Sequence, residues 1–488
     1  MDTDQHGKIR RRNIEGDRLS SLPIDVIHNI LSFVSTKQAI QASTLSSSWK
    51  FIWTSLPYLS FSRKDFDTLP KFNSFVTHVL SRRNNQTEVS SIKLSGFHGD
   101  ITEELIKKVT DYAFSHNVQQ LTITSFDDKR RVSEVPLFPS LTLKHLTSRS
   151  FMACTSTWEF PALTTLYLSH ITLYSDNVSL FSKCANLKNL TLHHLTISRS
   201  SGGSEIVDFC HSGISNLRLE NVCLNIDVMN LIVVQLKNLS LVRKDKSTSA
   251  VLNVVAPQLK NLTVRDWLML ISLNLLSAPE FGSYLCSLDK VDLSSYKPLS
   301  VSIPYKTEAR KITSLLQQLR NARHFTLSWD IIRLLSSSME LIPHLPSPFV
   351  NLKSLKVYPR PKALSYEEET MPACFVKYFL GGSPGATVTM VTSKEMKALE
   401  NAASAEKLMA ELQAQLKQEK KYTKTNRAYW GDLVKAPMES KPYIHEQGNA
   451  EVDKIQHDDD YNGGRMLEII SCWEDLSVQI EEGKKKDS

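Results

Sequence analysis

Residues 187–192 read LKNLTL, and the same spelling, apolar-x-x-apolar-x-apolar, returns along most of the chain. Copies are VSSIKL at 89, VQQLTI at 118, LTTLYL at 163, ISNLRL at 214, LKNLSL at 236, LKNLTV at 259, LDKVDL at 288 and LKSLKV at 352, with LKHLTS at 143 and ARHFTL at 322 as poorer ones. The fourth residue anchors each copy: Ile92, Leu121, Leu146, Leu166, Leu190, Leu217, Leu239, Leu262, Val291, Phe325 and Leu355, spaced 20 to 34 residues apart. Five residues after the anchor most copies are apolar again, at Phe97, Phe126, Phe151, Ile171, Leu195, Val222, Trp267 and Tyr296. Alternation in LxL puts the anchor and the residue two later on one face of a short strand. Strands this short cannot bury that face alone, so successive copies must stack into a parallel sheet with the return segments behind it. Two return segments read as helices, Glu103 to His116 and Ala309 to Asn321, and both fall in wide gaps.

Working outward toward the N-terminus, residues 17–61 read DRLSSLPIDVIHNILSFVSTKQAIQASTLSSSWKFIWTSLPYLSF. Ile27, Ile30, Leu31 and Val34 make one apolar helical face, and Val26, Ile30 and Phe33 a second stripe beside it. A helix so apolar needs cover on two sides. Pro23 suits the first turn and Asp25 the positive end of the helix dipole. Ser35 and Thr36 can cap a second helix through Leu45, and residues 46–48 a third carrying Trp49, Ile52, Trp53 and Leu56. About 45 residues bury too little surface to be comfortably stable alone.

This order of elements resembles the F-box, closely so in its plant form, through DRLSSLP, ILSFV, TKQAI and LSSSWKFIW. The resemblance implies docking onto a Skp-family adaptor of a cullin-RING ubiquitin ligase, with Leu22, Pro23, Ile27, Ile30, Leu31, Leu45 and Trp49 at the matching positions. The sequence departs from the family pattern at Ile24, where Asp is usual, at Ser35, where Pro is common, and at Ser47 and Ser48, which replace a Lys-Arg pair. The repeats resemble the irregular leucine-rich repeats that follow plant F-boxes, and residues 361–392 resemble the closing segment of those proteins and of their FBD relatives. The fold expected is therefore α+β and multi-domain: a three-helix F-box, an irregular leucine-rich-repeat solenoid with a parallel β-sheet, a C-terminal helix and a disordered tail. The boundaries drawn are a basic tail over 1–16, the F-box over 17–62, a connecting helix over 63–88, the solenoid over 89–360, a cap over 361–392, a helix over 393–421 and the tail over 422–488.

Composition narrows the function. The seven cysteines are scattered singly with no CxxC, the pattern of a reduced protein with neither disulfides nor structural zinc. The first residues, MDTDQHGKIRRRN, have no apolar h-region, and no run approaches the ~18 apolar residues of a membrane span. A soluble chain of the nucleus or cytoplasm is expected. The net charge of +7 is modest, and without interleaved aromatics a nucleic-acid partner is not expected.

No catalytic constellation is found and no cofactor is implied. Gly381-Gly382-Ser383-Pro384-Gly385 has the GxSxG spelling of a nucleophile elbow. In that elbow the residue after Ser donates its backbone N–H to the oxyanion, and Pro384 has none. His170 and His194 share one column with His193 beside them, yet no Cys or carboxylate in that column completes a metal set, Glu220 being one column away. Stacked or solvated histidines are the expectation. The residues one before, one after and three after each anchor should form the concave face. Among its small polar residues stand Tyr167, His193, Arg218, Glu220, Arg265 and Tyr358, the candidates for holding a target protein, since aromatic and Arg residues carry most binding energy. The implied role is that of a ligase substrate receptor, non-catalytic itself, with an F-box scaffold outside any ligase as the alternative and a small-molecule sensor as a lesser one.

Overall fold

The eleven anchors lie side by side in one register row of a single parallel sheet. The structure is a computed structural model that describes residues 22–43, 49–96, 101–125, 139–153, 158–174, 180–199, 206–242, 250–266, 271–276, 288–294, 305–336, 347–358 and 371–391. The chain divides into two compact units, Met1–Glu419 and Lys420–Ser488. All the described residues belong to the first. The helix expected over 393–421, both tails and Leu45 lie outside the described residues.

The strands in chain order begin with β1 (Tyr58–Ser62), β2 (Ser91–Gly96), β3 (Gln120–Ser125), β4 (His145–Ala153), β5 (Thr165–Tyr174), β6 (Asn189–His193) and β7 (Thr196–Ser198). Next come β8 (Ile206–Cys210), β9 (Asn216–Glu220), β10 (Cys223–Asn225), β11 (Val228–Ile232), β12 (Asn238–Val242) and β13 (Ala250–Val255). The last are β14 (Asn261–Arg265), β15 (Ile271–Leu275), β16 (Lys290–Ser294), β17 (His324–Ser328), β18 (Ser354–Tyr358) and β19 (Thr387–Met390). The long sheet runs β1-β2-β3-β4-β5-β6-β9-β12-β14-β16-β17-β18-β19, with β7 and β10 paired beside it. In most of its strands buried and partly exposed residues alternate, the anchor and the residue two later facing inward. Every anchor from Leu59 of β1 to Leu355 of β18 is at most 2% exposed.

The sheet starts earlier and ends later than the sequence suggested. Leu59 of β1 pairs with Ile92, and Val388 of β19 with Leu355, so the sheet crosses the boundaries drawn at 62 and 360. Leu56-x-x-Leu59-x-Phe61 is itself a copy of the repeat. The helix over Leu69–Arg82 (α3) is accordingly the return segment between β1 and β2, burying Phe72, Val76, Val79 and Leu80.

The back of the sheet is built in two ways. Helices fill five returns in which the anchors stand 29 to 34 residues apart: α3, then α4 (Glu103–Ser115), α5 (Tyr305–Gln318), α6 (Trp329–Ser336) and α7 (Ala373–Leu380). Four other returns, with anchors 22 to 29 apart, carry strands that pair as a second parallel sheet in the order β15-β13-β11-β8. An extended return covers one turn of the array in fewer residues than a helix, which rises only 1.5 Å per residue. The sequence reading did not foresee this second sheet. Its inward residues Phe209, Met229 and Leu231 meet Leu192, Leu217 and Leu219 of the long sheet in a shared apolar core.

At the C-terminal end Phe325, Phe349, Phe375, Tyr378 and Phe379 are buried, with Phe349 and Phe379 stacked at 5.2 Å. Ser383 is here, buried in a turn, donating to the Phe349 carbonyl (2.9 Å) and accepting from the Leu352 N–H (3.0 Å). A Cβ at Gly382 would stand 2.5 Å from the Phe349 carbonyl oxygen, so the glycine is demanded by close packing. The GxSxG spelling is a turn in the cap.

The N-terminal helices are α1 (Ile24–Ser32) and α2 (Thr36–Ala42). Ser35 caps α2 in a reciprocal box with Gln38. The third helix expected differs: its described part is a 3₁₀ turn, Ile52–Ser55, ending at an extended Leu56. Pro57 follows, and a residue before proline is held out of the helical region. The bundle is tied directly to the sheet, since Thr36 Oγ1 accepts from the Ser60 N–H at 2.9 Å and Lys37 Nζ donates to the Asp65 carbonyl while lying 4.5 Å from the centre of the Phe66 ring.

Candidate functional site

Two surfaces stand out. The first is on α1. Ile27 and Leu31 face the core at 5% exposure each, as does Trp49 at 4%, whereas the second apolar stripe is open: Val26 is partly buried, Ile30 is 36% exposed and Phe33 68%. Phe51, at the 3₁₀ turn, is 69% exposed and Ile24 55%. Of the seven positions matched by resemblance, Pro23 and Ile30 are at the surface and Leu22 is half-buried against the core. Ile27, Leu31 and Trp49 are interior residues of the chain. Phe33 and Phe51, both open, are not among the matched positions. Phe33 was visible in the second stripe, while nothing in the spelling of Phe51 marks it as open.

The second surface is the face of the long sheet that points away from the core. Its columns before, after and three after the anchor are exposed or half-buried, as expected from alternation, except for the buried Ser169, Ser294 and Ser328 in the last of them. Neighbouring strands β5, β6 and β9 bring together Tyr167, His193, Arg218 and Glu220. The Arg218 guanidinium holds one Glu220 oxygen through Nε (3.1 Å) and Nη2 (3.0 Å), and His193 Nε2 stands 3.9 Å from the other. The Arg149 guanidinium lies 4.9 Å from the Tyr167 ring centre. Two strands on, Arg265 grips Asp292 through Nε (3.2 Å) and Nη2 (2.8 Å). Tyr358 is on β18, three strands beyond Arg265, and is not part of this group.

Between these groups the residue before the anchor is Asn four times running. Asn216 Nδ2 donates to Asn189 Oδ1 (2.6 Å), Asn238 to Asn216, and Asn261 to Asn238 (2.5 Å). Each amide thus serves as donor and acceptor between turns. The ladder floors a groove of about 480 Å³ together with Thr191, Arg218 and Ser240. It was legible only in part: the repeated Asn of LKNL is plain, but its pairing depends on the register. The arrangement offers amides, hydroxyls and clamped guanidinium groups on an open floor, which suits binding and supplies no nucleophile with a base.

At the far end of the strands, four residues after the anchor, His170, His194, Asn221 and Asp266 all have φ between 51° and 61°. Non-glycine residues rarely adopt this left-handed conformation, His, Asn and Asp more readily than most. It turns the chain out of the long sheet. His170 stacks on His194 at 4.6 Å, and Ser169 Oγ is within hydrogen-bond distance of Nδ1 on both His170 (2.8 Å) and His193 (3.0 Å). The histidines are therefore stacked, as the column pattern suggested. Burial first, then the neighbouring imidazoles of His194 and His193, pushes His170 down to about 4.

A pH dependence follows. The folded-state value lies below the ordinary 6.5, so as pH falls the unfolded chain takes up this proton first. The stability due to a neutral His170 is complete above about 6.5 and is lost as pH falls toward 4. His170→Asn, which keeps the left-handed backbone but cannot titrate, is expected to flatten the fall in melting temperature between about pH 6.5 and about pH 4.5. His28, His145 and His211, also lowered by burial, retain the remainder. An unchanged slope in thermal melts would contradict this assignment.

Comparison with known proteins agrees with this geometry. The F-box domain family matches residues 19–61. An F-box/LRR-repeat protein of Arabidopsis thaliana is 26% identical over 363 residues, covering 70% of this chain and 66% of that protein. A putative F-box/LRR-repeat protein of the same plant is 26% identical over 357 residues, covering 70% and 65%. A putative F-box/FBD/LRR-repeat protein, also from Arabidopsis thaliana, is 29% identical over 195 residues, 38% of this chain and 44% of that one. The chain thus spans just under two thirds of the first two relatives. Residues 19–61 are an F-box, a domain that in general implies a Skp-type adaptor partner, and the strands behind it form a parallel-sheet solenoid consistent with leucine-rich repeats.

Proposed function

We propose that the chain, an F-box joined through one sheet to a parallel solenoid, is the substrate-recognition subunit of a Skp–cullin–F-box ubiquitin ligase, working in the nucleus or cytoplasm. The observation that carries this reading is the bare stripe on α1. Ile30 and Phe33 lie open beside the exposed Ile24 and Phe51, and an adaptor seated there would bury them. A target protein would lie on the outer face of the long sheet around Tyr167, His193, Arg218 and Glu220, with Arg265 and Tyr358 contacting its more distant parts. Ubiquitin transfer would be performed by the linked enzyme, and this chain would contribute by raising the effective concentration of target near it.

The clamped arginines suit this role. Arg218 and Arg265 are held in place by Glu220 and Asp292, yet their side chains remain 48% and 44% exposed. Ordering them on binding therefore costs little rotamer entropy. Replacing Tyr167, Arg218 and Arg265 together with Ala is expected to lengthen the half-life of the target in cells while adaptor co-purification and melting temperature stay at wild-type values. Normal degradation by the triple variant would overturn the placement of the target on this face, and absence of adaptor from the wild-type chain would overturn the ligase role.

A further inference from the structure

The basic residues look dispersed in sequence but not in the fold. Two positions before the anchor, where the chain enters each strand, stand Lys144, Lys188, Lys237, Lys260, Arg323 and Lys353. Backbone hydrogen bonds run through this column from turn to turn: Lys188 N–H to the Thr164 carbonyl (3.0 Å), Lys237 to Ser215 (2.9 Å), Lys260 to Lys237 (2.9 Å), Asp289 to Lys260 (2.8 Å), Arg323 to Asp289 (3.1 Å) and Lys353 to Arg323 (2.7 Å). The six cations therefore form a row along the rim where the strands begin, and all six are exposed. Asp289 is the one acid in the row. The adjacent column adds Lys290 and no acid. None of the six is in an ion pair among the described residues, in contrast to Arg218 and Arg265 on the open face.

We infer that this rim is a docking surface for an extended, acidic segment of a partner protein. Six cations of one sign, held on a backbone ladder with Asp289 as the one acid among them, repel one another, and a bound anion relieves that repulsion. Their spacing also fits. From β4 to β18 the row crosses nine strands at ~4.8 Å each, a span of roughly 40 Å, or one cation per ~8 Å. Same-side residues of an extended chain recur every ~7 Å. A strand of nucleic acid would match the charge, but sequence-tolerant binding of single strands relies on aromatic side chains to stack the bases. The two rim columns from Gln119 to Ser354 contain no Phe, Tyr or Trp. The row of six lies one column outside the open-face columns and apart from the F-box, so it stands whether or not the ligase reading does.

The test uses the full chain and a labelled peptide of about twelve residues, alternating Glu and Ser, the length that covers the rim at ~3.3 Å per residue. Fluorescence polarisation is expected to show saturable binding that weakens with salt and is lost when Gln replaces Glu. Lys188→Glu, Lys237→Glu and Lys260→Glu together should weaken it roughly ten-fold or more, and Lys→Gln at the same positions by a smaller factor. Lys107→Glu with Lys108→Glu, on the exposed side of α4, should leave it unchanged. The basic stretch Lys8–Arg12 is present in every variant, so the differences isolate the rim. Three results would overturn the inference: equal binding by the rim variants at equal melting temperature, equal weakening by the α4 variant, or tighter binding of an oligothymidylate of the same charge than of the peptide.

Discussion

Leu262→Asp is expected to abolish the cooperative fold of several turns of the solenoid at once. Leu262 is 1% exposed and stands in the anchor row between Leu239 and Val291. The change removes a buried Leu side chain, and truncations of that kind alone cost about 2–5 kcal/mol. It also places a carboxylate where no cation can reach it, and an unpaired buried charge costs about 3–5 kcal/mol. Domains are stable by only about 5–15 kcal/mol in total. Each turn is held mainly by its two neighbours, so loss of one exposes the apolar faces of the next. Limited proteolysis should give early cleavage within the repeats, and circular dichroism a lost or strongly lowered transition. Leu190→Asp should behave alike, while Leu262→Met, which keeps the volume, should cost less than about 1.5 kcal/mol. A protease-resistant Leu262→Asp protein with a wild-type melt would mean that this column faces solvent.

Phe33→Asp combined with Phe51→Asp is expected to remove capture of a Skp-family adaptor without unfolding anything. Both rings are about two-thirds open in the chain alone, so their loss should cost it less than about 0.5 kcal/mol each. In a complex each would be buried, and burial of a Phe side chain is worth roughly 1.5–3 kcal/mol. Loss of both corresponds to at least about a hundred-fold in affinity. Ile27→Asp or Trp49→Asp should also abolish capture, but by a different route, because those side chains fill the interior and the melting temperature should fall with them. Leu22→Ala with Pro23→Ala should give an intermediate loss, Pro23 being open and Leu22 half-buried. Co-purification from cells with each variant, paired with a thermal melt, separates contact residues from supporting ones.

Much of this architecture is written in the sequence. The LxxLxL spacing gives the strand, its phase and the inward face, and the row of anchors in the structure is the row read from the copies. Two ends were harder. Leu56-Pro57-Tyr58-Leu59-Ser60-Phe61 satisfies both the F-box ending and the repeat, and a pattern shared by two readings cannot say which element it builds. Thr387–Met390 has Gly385 where the other copies have a leading apolar residue, and reveals itself only by pairing with β18. The second sheet was hidden for a different reason: IVDFC, VMNLI and AVLNVV alternate well enough, and Ile206, Val228 and Val251 each stand 11 residues before the next anchor, but the fourth strand breaks that spacing, Ser272 standing 19 before Val291. Within the site, Arg218 and Glu220 are two apart on one strand and must share a face. Arg265 and Asp292 meet only because the register places Val264 beside Leu293. On α1 two apolar stripes of similar strength compete, and the helix pattern alone does not decide that Ile27 and Leu31 go inside and Phe33 stays out.

That choice of face is the point on which the functional account rests, and hydrogen exchange of the purified chain, alone and with a purified Skp-family adaptor, addresses it most directly. The account predicts a stable complex in which amides of α1 and of the turn around Phe51 become protected, while the strands carrying Tyr167, Arg218 and Arg265 exchange as before. Absence of a complex, or protection on the open face of the sheet with none on α1, would contradict it.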